Sequence, residues 1–218
     1  DVITGGAGND TLTGGLGNDT YLFDADSPLG MDSLADSGST GDTLDFSTTT
    51  MLGVTIDLGS TLVQTVNSNL MLQFSANDMF DNVIGTNLDD ILIGNANNNV
   101  LTGNDGNDQL QGGGGNDSLL GGDGDDTYCF NTDSALGTDT VTDTAGIDTL
   151  DFSATTTLGV TVNLGLTSNQ VVNSRLTLTL TSGSAVENII GTPLDDVLQG
   201  NSLNNVLRGG AGNDTYRF

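Results

Sequence analysis

Asp108, Asp117 and Asp126 recur every nine residues, and each closes a six-residue string whose first and fourth members are glycine: GNDGND, GGGGND and GGDGDD. Carboxylates can move protons, attack carbon or hold metal, and the glycines choose among these. A residue free to take φ > 0 turns its carbonyl inward, so each string gathers carbonyl and carboxylate oxygens at one corner. Oxygen ligands of that kind suit a hard cation, Ca²⁺ above all. Catalysis fits less well. The chain has no His, so neither a His-Glu-x-x-His zinc helix nor a Ser-His-Asp triad can be built. The adjacent acids Asp89 with Asp90 and Asp195 with Asp196 would point to opposite faces of a strand, which is wrong for a glycosidase pair. An enzyme is not expected.

The elements that must position these corners follow from the residues between them. Six residues make a turn and the next three a short strand, whose central residue is apolar at every beat: Ile3, Leu12, Tyr21, Leu92, Leu101, Leu110, Leu119, Tyr128, Leu198, Leu207 and Tyr216. That residue should face an interior. Two turns and two strands close one coil, so corners on the same edge stand eighteen residues apart and stack at about 4.8 Å. This predicts an all-β fold, a parallel β-roll or right-handed β-solenoid. An ion between stacked corners would share an acid from each. The expected pairs are Asp1 with Asp19, Asp90 with Asp108, Asp108 with Asp126, Asn99 with Asp117, and Asp196 with Asp214. Asp108 would serve two ions, so binding along an edge should be cooperative.

Composition agrees. Of 218 residues 29 are acidic, Glu187 being the one Glu, and the three basic residues are Arg175, Arg208 and Arg217, giving a formal charge of −26 with 35% hydrophobic residues. Low hydrophobicity with high net charge is the signature of disorder, so without counter-ions the chain should be largely unfolded. With calcium the repelling groups become ligands, and metal binding and folding should be one event. Nucleic acid and anionic lipid are excluded as partners by the same charge, and no apolar run approaches the ~20 residues of a membrane span. The lone Cys129 cannot form an internal disulfide; its slot in the strand predicts an outward thiol. Because Asp1 falls at the sixth position of a turn lacking its first five residues, the chain is expected to be cut from something longer, and no secretory leader is visible.

A longer repeat organises the whole. GGLGNDTYLF at Gly14 returns at Gly121 as GGDGDDTYCF, an offset of 107, and the stretch from Asp81 returns at Glu187 with an offset of 106. The expected organisation is the end of an upstream roll (1–19), a β-rich segment (20–84) and roll (85–129) of a first module, then a β-rich segment (130–190) and truncated roll (191–218) of a second. The β-rich segments alternate apolar and polar residues, as in residues 53–58 and 175–181, which reads as strand. They open with degenerate corners ending at Asp32 and Asp42 in the first module, and at Asp139 and Asp148 in the second. If the roll runs through a four-residue insertion, Asp117 stacks with Asp139, Asp126 with Asp148, Asp10 with Asp32, and Asp19 with Asp42.

These motifs resemble the RTX (repeats-in-toxin) proteins of Gram-negative bacteria, which leave the cell by type I secretion. The order DTLDFS, Glu187-Asn-Ile-Ile-Gly and GNSLNNVLRGGAGND is similar to the C-terminal calcium-binding domain of serralysin-type proteases. The resemblance implies that carbonyls at the second and fourth turn positions join the acids as ligands. These would be Gly6, Gly8, Gly15 and Gly17; Asn104, Gly106, Gly113 and Gly115; Gly122, Gly124 and Gly146; and Gly210 and Gly212, with the acids Asp10 and Asp214 of their turns. It further implies that Asp143, Asp148 and Glu187 form one site, and Asp36, Asp42 and Asp81 its counterpart. The turns GTNLDD and GTPLDD carry Leu where glycine is wanted, and GNANNN and GNSLNN offer Asn99 and Asn205 in place of Asp, so Asp90, Asn99, Asp196 and Asn205 should make weaker sites or caps that begin the roll.

The leading expectation is a calcium-binding structural module of a large repetitive surface protein of adhesin, S-layer or matrix type, secreted by a Gram-negative bacterium. Its partners would be calcium and either neighbouring copies of itself or a cell-surface glycan. The alternatives are a module whose β-rich segments bind carbohydrate, and the secretion and folding domain of an enzyme.

Overall fold

The computed structural model describes residues 1–36 and 41–218 and contains strands and turns, with no helix among the described residues. Three-residue strands such as Thr11–Thr13, Gln109–Gln111 and Thr127–Cys129 bury their central side chain and leave the flanks exposed or half-buried, as their alternation requires. The strands stack in parallel at the register that the corner spacing dictates: Val2 pairs with Thr20, Leu92 with Leu110, and Leu101 with Leu119. The chain is an all-β parallel β-roll.

The longer insertions leave the stack unbroken. One sheet runs through Val2–Ile3, Thr20–Leu22, Thr43–Asp45, Asn82–Ile84, Val100–Asp105, Ser118–Asp123, Gly137–Thr142 and Leu176–Leu180, so strands of the rolls and of the β-rich segments share it. A second runs from Thr55–Asp57 through Ile91–Ile93 and Thr149–Asp151 to Val206–Arg208. Each module inserts one antiparallel hairpin. Gln64–Asn67 pairs with Leu70–Phe74, and Gln170–Asn173 with Leu176–Leu180. The two hairpins enter different sheets.

Scarce apolar residues nevertheless make one continuous core. Leu92, Leu101, Leu110, Leu119 and Tyr128 form its thin part inside the first roll, and the β-rich segments thicken it with Phe46, Phe74 and Phe80 in one module and Phe152, Leu178 and Leu180 in the other. Phe23 stacks on Phe46 at 5.5 Å and Phe130 on Phe152 at 5.3 Å, the same pair in both copies. Three inward expectations fail in part: Tyr216 is 42% exposed, and Leu207 and Ile3 are only partly buried, because Thr215–Arg217, Val206–Arg208 and Val2–Ile3 each have a neighbouring strand on one side only. Cys129 is also not fully outward. It is half-buried, and burial pushes its thiol up to about 11.

Candidate metal centre

The sixth-position residues form a ladder along each edge of the roll. The backbone N–H of Asp90 donates to Oδ1 of Asp108, Asp108 to Asp126, and Asp126 to Asp148, each at 2.8 Å; Asp148 then donates to Oε2 of Glu187 at 2.9 Å. On the opposite edge Asn99 donates to Asp117 at 2.8 Å and Asp117 to Asp139 at 3.0 Å. Asp10 with Asp32, Asp19 with Asp42, and Asp196 with Asp214 repeat the contact. At Asp1 the amino group takes the same role, 2.6 Å from Oδ1 of Asp19. All the stacked pairs expected from the spacing are adjacent.

Each bond uses one carboxylate oxygen and aims the other. Oδ2 of Asp10, Asp19, Asp32, Asp108, Asp117 and Asp126 is buried and accepts nothing. A buried carboxylate oxygen without a donor is strongly unfavourable, and a cation removes that cost. The first-position glycines make room for it. A Cβ at Gly103 or Gly112 would strike Oδ2 of Asp108 or Asp117. The second and fourth positions explain the remaining glycines. All those expected to offer carbonyls, Gly6 to Gly212, have φ between +81° and +154°. Asn104 does the same at +82°, the one non-glycine among the described residues to do so. The Gly122 carbonyl is already engaged, accepting Thr144 Oγ1 at 2.7 Å.

Two corners gather three acids. Carboxylate oxygens of Asp126, Asp143 and Asp148 lie within 4.8 Å of one another, as do those of Asp19, Asp36 and Asp42. Tyr128 donates its hydroxyl to Oδ2 of Asp143 at 2.5 Å and receives the N–H of Gly121 at 3.0 Å, while Oδ1 of Asp143 is buried without a partner. Tyr21 holds Asp36 in the same way and receives the Gly14 N–H. Glu187 adjoins its corner through the N–H of Asp148, whereas the shorter Asp81 accepts from Gly41, one residue earlier. Burial, with repulsion from neighbouring acids, pushes Asp108 and Asp148 up to about 8 and Asp126 to about 7; Asp139 rises to about 7 and Asp117 to about 6, burial again leading. The donors are hard, anionic and desolvated, and calcium fits them.

Four sixth positions stand apart. Both oxygens of Asp90 and of Asp196, and the amides of Asn99 and Asn205, are hydrogen-bonded within the protein.

A second ladder was not anticipated from the sequence. The fifth-position side chain accepts the N–H of the fifth residue one coil on, as Asp89 does from Asn107, Asn107 from Asp125, and Asn98 from Asn116, at 2.7–2.8 Å. The signal was present, since Asn or Asp fills the fifth position of every strong turn, but it is hidden by the more obvious acid beside it.

The RTX calcium-binding nonapeptide repeat family matches the chain in four stretches, residues 1–27, 84–119, 102–132 and 190–217. These hold the turns ending at Asp10, Asp19, Asp90, Asn99, Asp108, Asp117, Asp126, Asp196, Asn205 and Asp214, whereas Asp32, Asp42, Asp139 and Asp148 lie outside them. Among the curated proteins compared, none matches the chain.

Proposed function

The chain carries RTX calcium-binding nonapeptide repeats, and from that premise we propose that it is a structural module of a large secreted or cell-surface protein, folding and stiffening on extracellular Ca²⁺. The observation that carries this reading is the row of buried carboxylate oxygens with no donor, repeated along both edges of the roll. Asp108, Asp117 and Asp126 would hold ions together with the inward carbonyls of Gly106, Gly113, Gly115 and Gly124. Tyr128 and Tyr21 would orient Asp143 and Asp36 at the three-acid corners. A bound ion supplies charge neutralisation and cross-links successive coils. Two copies of one module favour length over chemistry, and the absence of His supports a non-enzymatic role. A charge of −26 would keep the chain extended where calcium is scarce, which suits threading through an export channel.

The test is circular dichroism during calcium titration of chelated protein. Strand signal should grow cooperatively with a midpoint at about 10⁻⁴ to 10⁻³ M, the range of extracellular modules. Identical spectra and thermal stability with and without calcium would overturn the proposal.

A second reading draws on the hairpin segments, where Leu62 (75%), Val171 (69%) and Met71 (40%) are exposed. Exposed apolar side chains on both hairpin segments favour recognition of a surface ligand such as a glycan, although their counterparts in the other copy are the polar Ser168, Thr177 and Thr65. Glycan-array binding that maps to residues 50–80 would support it.

A further inference from the structure

Within the rolls, six-residue corners come in two conformations, while the degenerate corners ending at Asp32, Asp139 and Asp148 have positive φ at the fourth position alone. In the turns ending at Asp108, Asp117 and Asp126 the second and fourth residues have positive φ and the sixth-position Oδ2 is free. In the turns 85–90, 94–99, 191–196 and 200–205 none of the corresponding residues has positive φ. There the second-position N–H donates to the sixth-position side chain of its own turn: Thr86 to Asp90 at 2.6 Å, Asn95 to Asn99 at 2.8 Å, Thr192 to Asp196 at 2.7 Å and Asn201 to Asn205 at 2.9 Å. The second-position side chain then accepts the fourth-position N–H, at 2.8–3.1 Å in all four. A side-chain oxygen thus gathers the inward N–H groups, and the turn closes on itself.

The space next to these turns is also taken. Nδ2 of Asn104 donates to the carbonyls of Gly85 and Thr86 at 3.0 and 3.1 Å, the second being the second-position oxygen that an ion at this turn would need. The other oxygen of Asp90 accepts Val54 N–H, and that of Asp196 accepts Val160 N–H. Nδ2 of Asn99 donates to the Asp81 carbonyl and that of Asn205 to the Glu187 carbonyl. The closing residue is Thr or Asn in place of the second glycine, in both modules.

We propose that these four turns take no calcium, and that each is self-closed by its second-position Thr or Asn, whose side chain accepts the fourth-position N–H of the same turn. Thr86, Asn95, Thr192 and Asn201 supply with their own side chains the closure that the ion supplies elsewhere, so residues 85–99 and 191–205 hold their turns with calcium removed. They are tied to the β-rich segments, through the N–H of Val54 and the Phe80 carbonyl in one module and the N–H of Val160 and the Val186 carbonyl in the other, which leaves each roll a metal-free start from which the calcium-bound coils extend. The assignment rests on calcium filling the open corners.

The experiment counts ions by native mass spectrometry at saturating calcium and follows backbone hydrogen exchange in EGTA. Asp90→Asn and Asp196→Asn should retain the full number of wild-type ions, whereas Asp108→Asn should lose at least one. In EGTA the amides of Thr86, Leu88, Thr192 and Leu194 should stay protected at least tenfold over those of Gly113, Gly115 and Gly122. Loss of an ion in Asp90→Asn or Asp196→Asn, or coil-like exchange of the Thr86 and Thr192 amides in EGTA, overturns the proposal. Failure of the calcium reading itself looks different: wild-type protein binds no ion, or Asp108→Asn keeps them all, and the exchange data on wild-type protein still decide whether the turns close unaided.

Discussion

An acid that touches two coils matters more than one that touches one. Asp108 accepts the N–H of Asp90 and donates its own to Asp126, with Oδ2 buried and unpaired, whereas Asp214 accepts from Asp196 alone and is half-buried. Asp108→Asn should therefore weaken calcium binding by a larger factor than Asp214→Asn, read by calorimetric titration. Equal effects would show that corners bind independently. Tyr128 offers a finer test, since its hydroxyl meets Asp143 Oδ2 at 2.5 Å and the adjoining Thr142 carbonyl at 3.2 Å. Tyr128→Phe keeps the buried ring, so it should spare the fold and lower calcium affinity at that corner about tenfold, as loss of an orienting partner does; unchanged affinity would reduce the hydroxyl to packing. The acids and glycines were legible because metal chemistry at a corner needs oxygen and positive φ at fixed spacing. The tyrosine role was not, since an aromatic at an inward position reads as core until its hydroxyl is seen returning to Gly121.

Between residue and molecule lie the strands, and here the sequence was read well where the period was strict. Nine-residue beats and degenerate corners placed the parallel coils in their observed register, including Ser118 with Thr140 across the insertion. The antiparallel hairpins were not foreseen, because alternation announces a strand and says nothing of its direction. Nor was the device that seals them. Gln64 Oε1 accepts the N–H of Asp57 at 2.9 Å while its Nε2 donates to the same residue's carbonyl at 3.3 Å, and Gln170 does this to Asn163 at 2.8 and 3.1 Å. A side-chain amide presents the donor and acceptor that a neighbouring strand would, bridging the hairpin to the next sheet. Gln170→Leu should leave the Asn163 N–H unpaired, while its carbonyl keeps the Leu166 N–H at 3.3 Å, and destabilise the calcium-loaded protein by about 1–3 kcal/mol, seen as a lower Tm. An unchanged Tm would show that water replaces the amide.

At the scale of the whole chain, charge and pH act together. Asp108, Asp126, Asp139 and Asp148 are pushed up to about 7 or 8 by burial that no counter-charge offsets, so in the absence of metal the folded form binds more protons than the unfolded one. By linkage its stability falls as pH rises. These groups favour folding fully below their ordinary value near 3.8 and lose that contribution as pH climbs through about 7 to 8. Acid and calcium are then alternative ways of discharging the same corners. In EGTA, strand signal should increase as pH is lowered from 8 to 4, whereas in limiting calcium the same descent should release bound ions, since protons and calcium compete for one set of oxygens. Both halves are read together by circular dichroism and a calcium electrode. If chelated protein instead lost structure on acidification, the buried acids would have to be paired by something other than metal, and the corners would not be calcium sites.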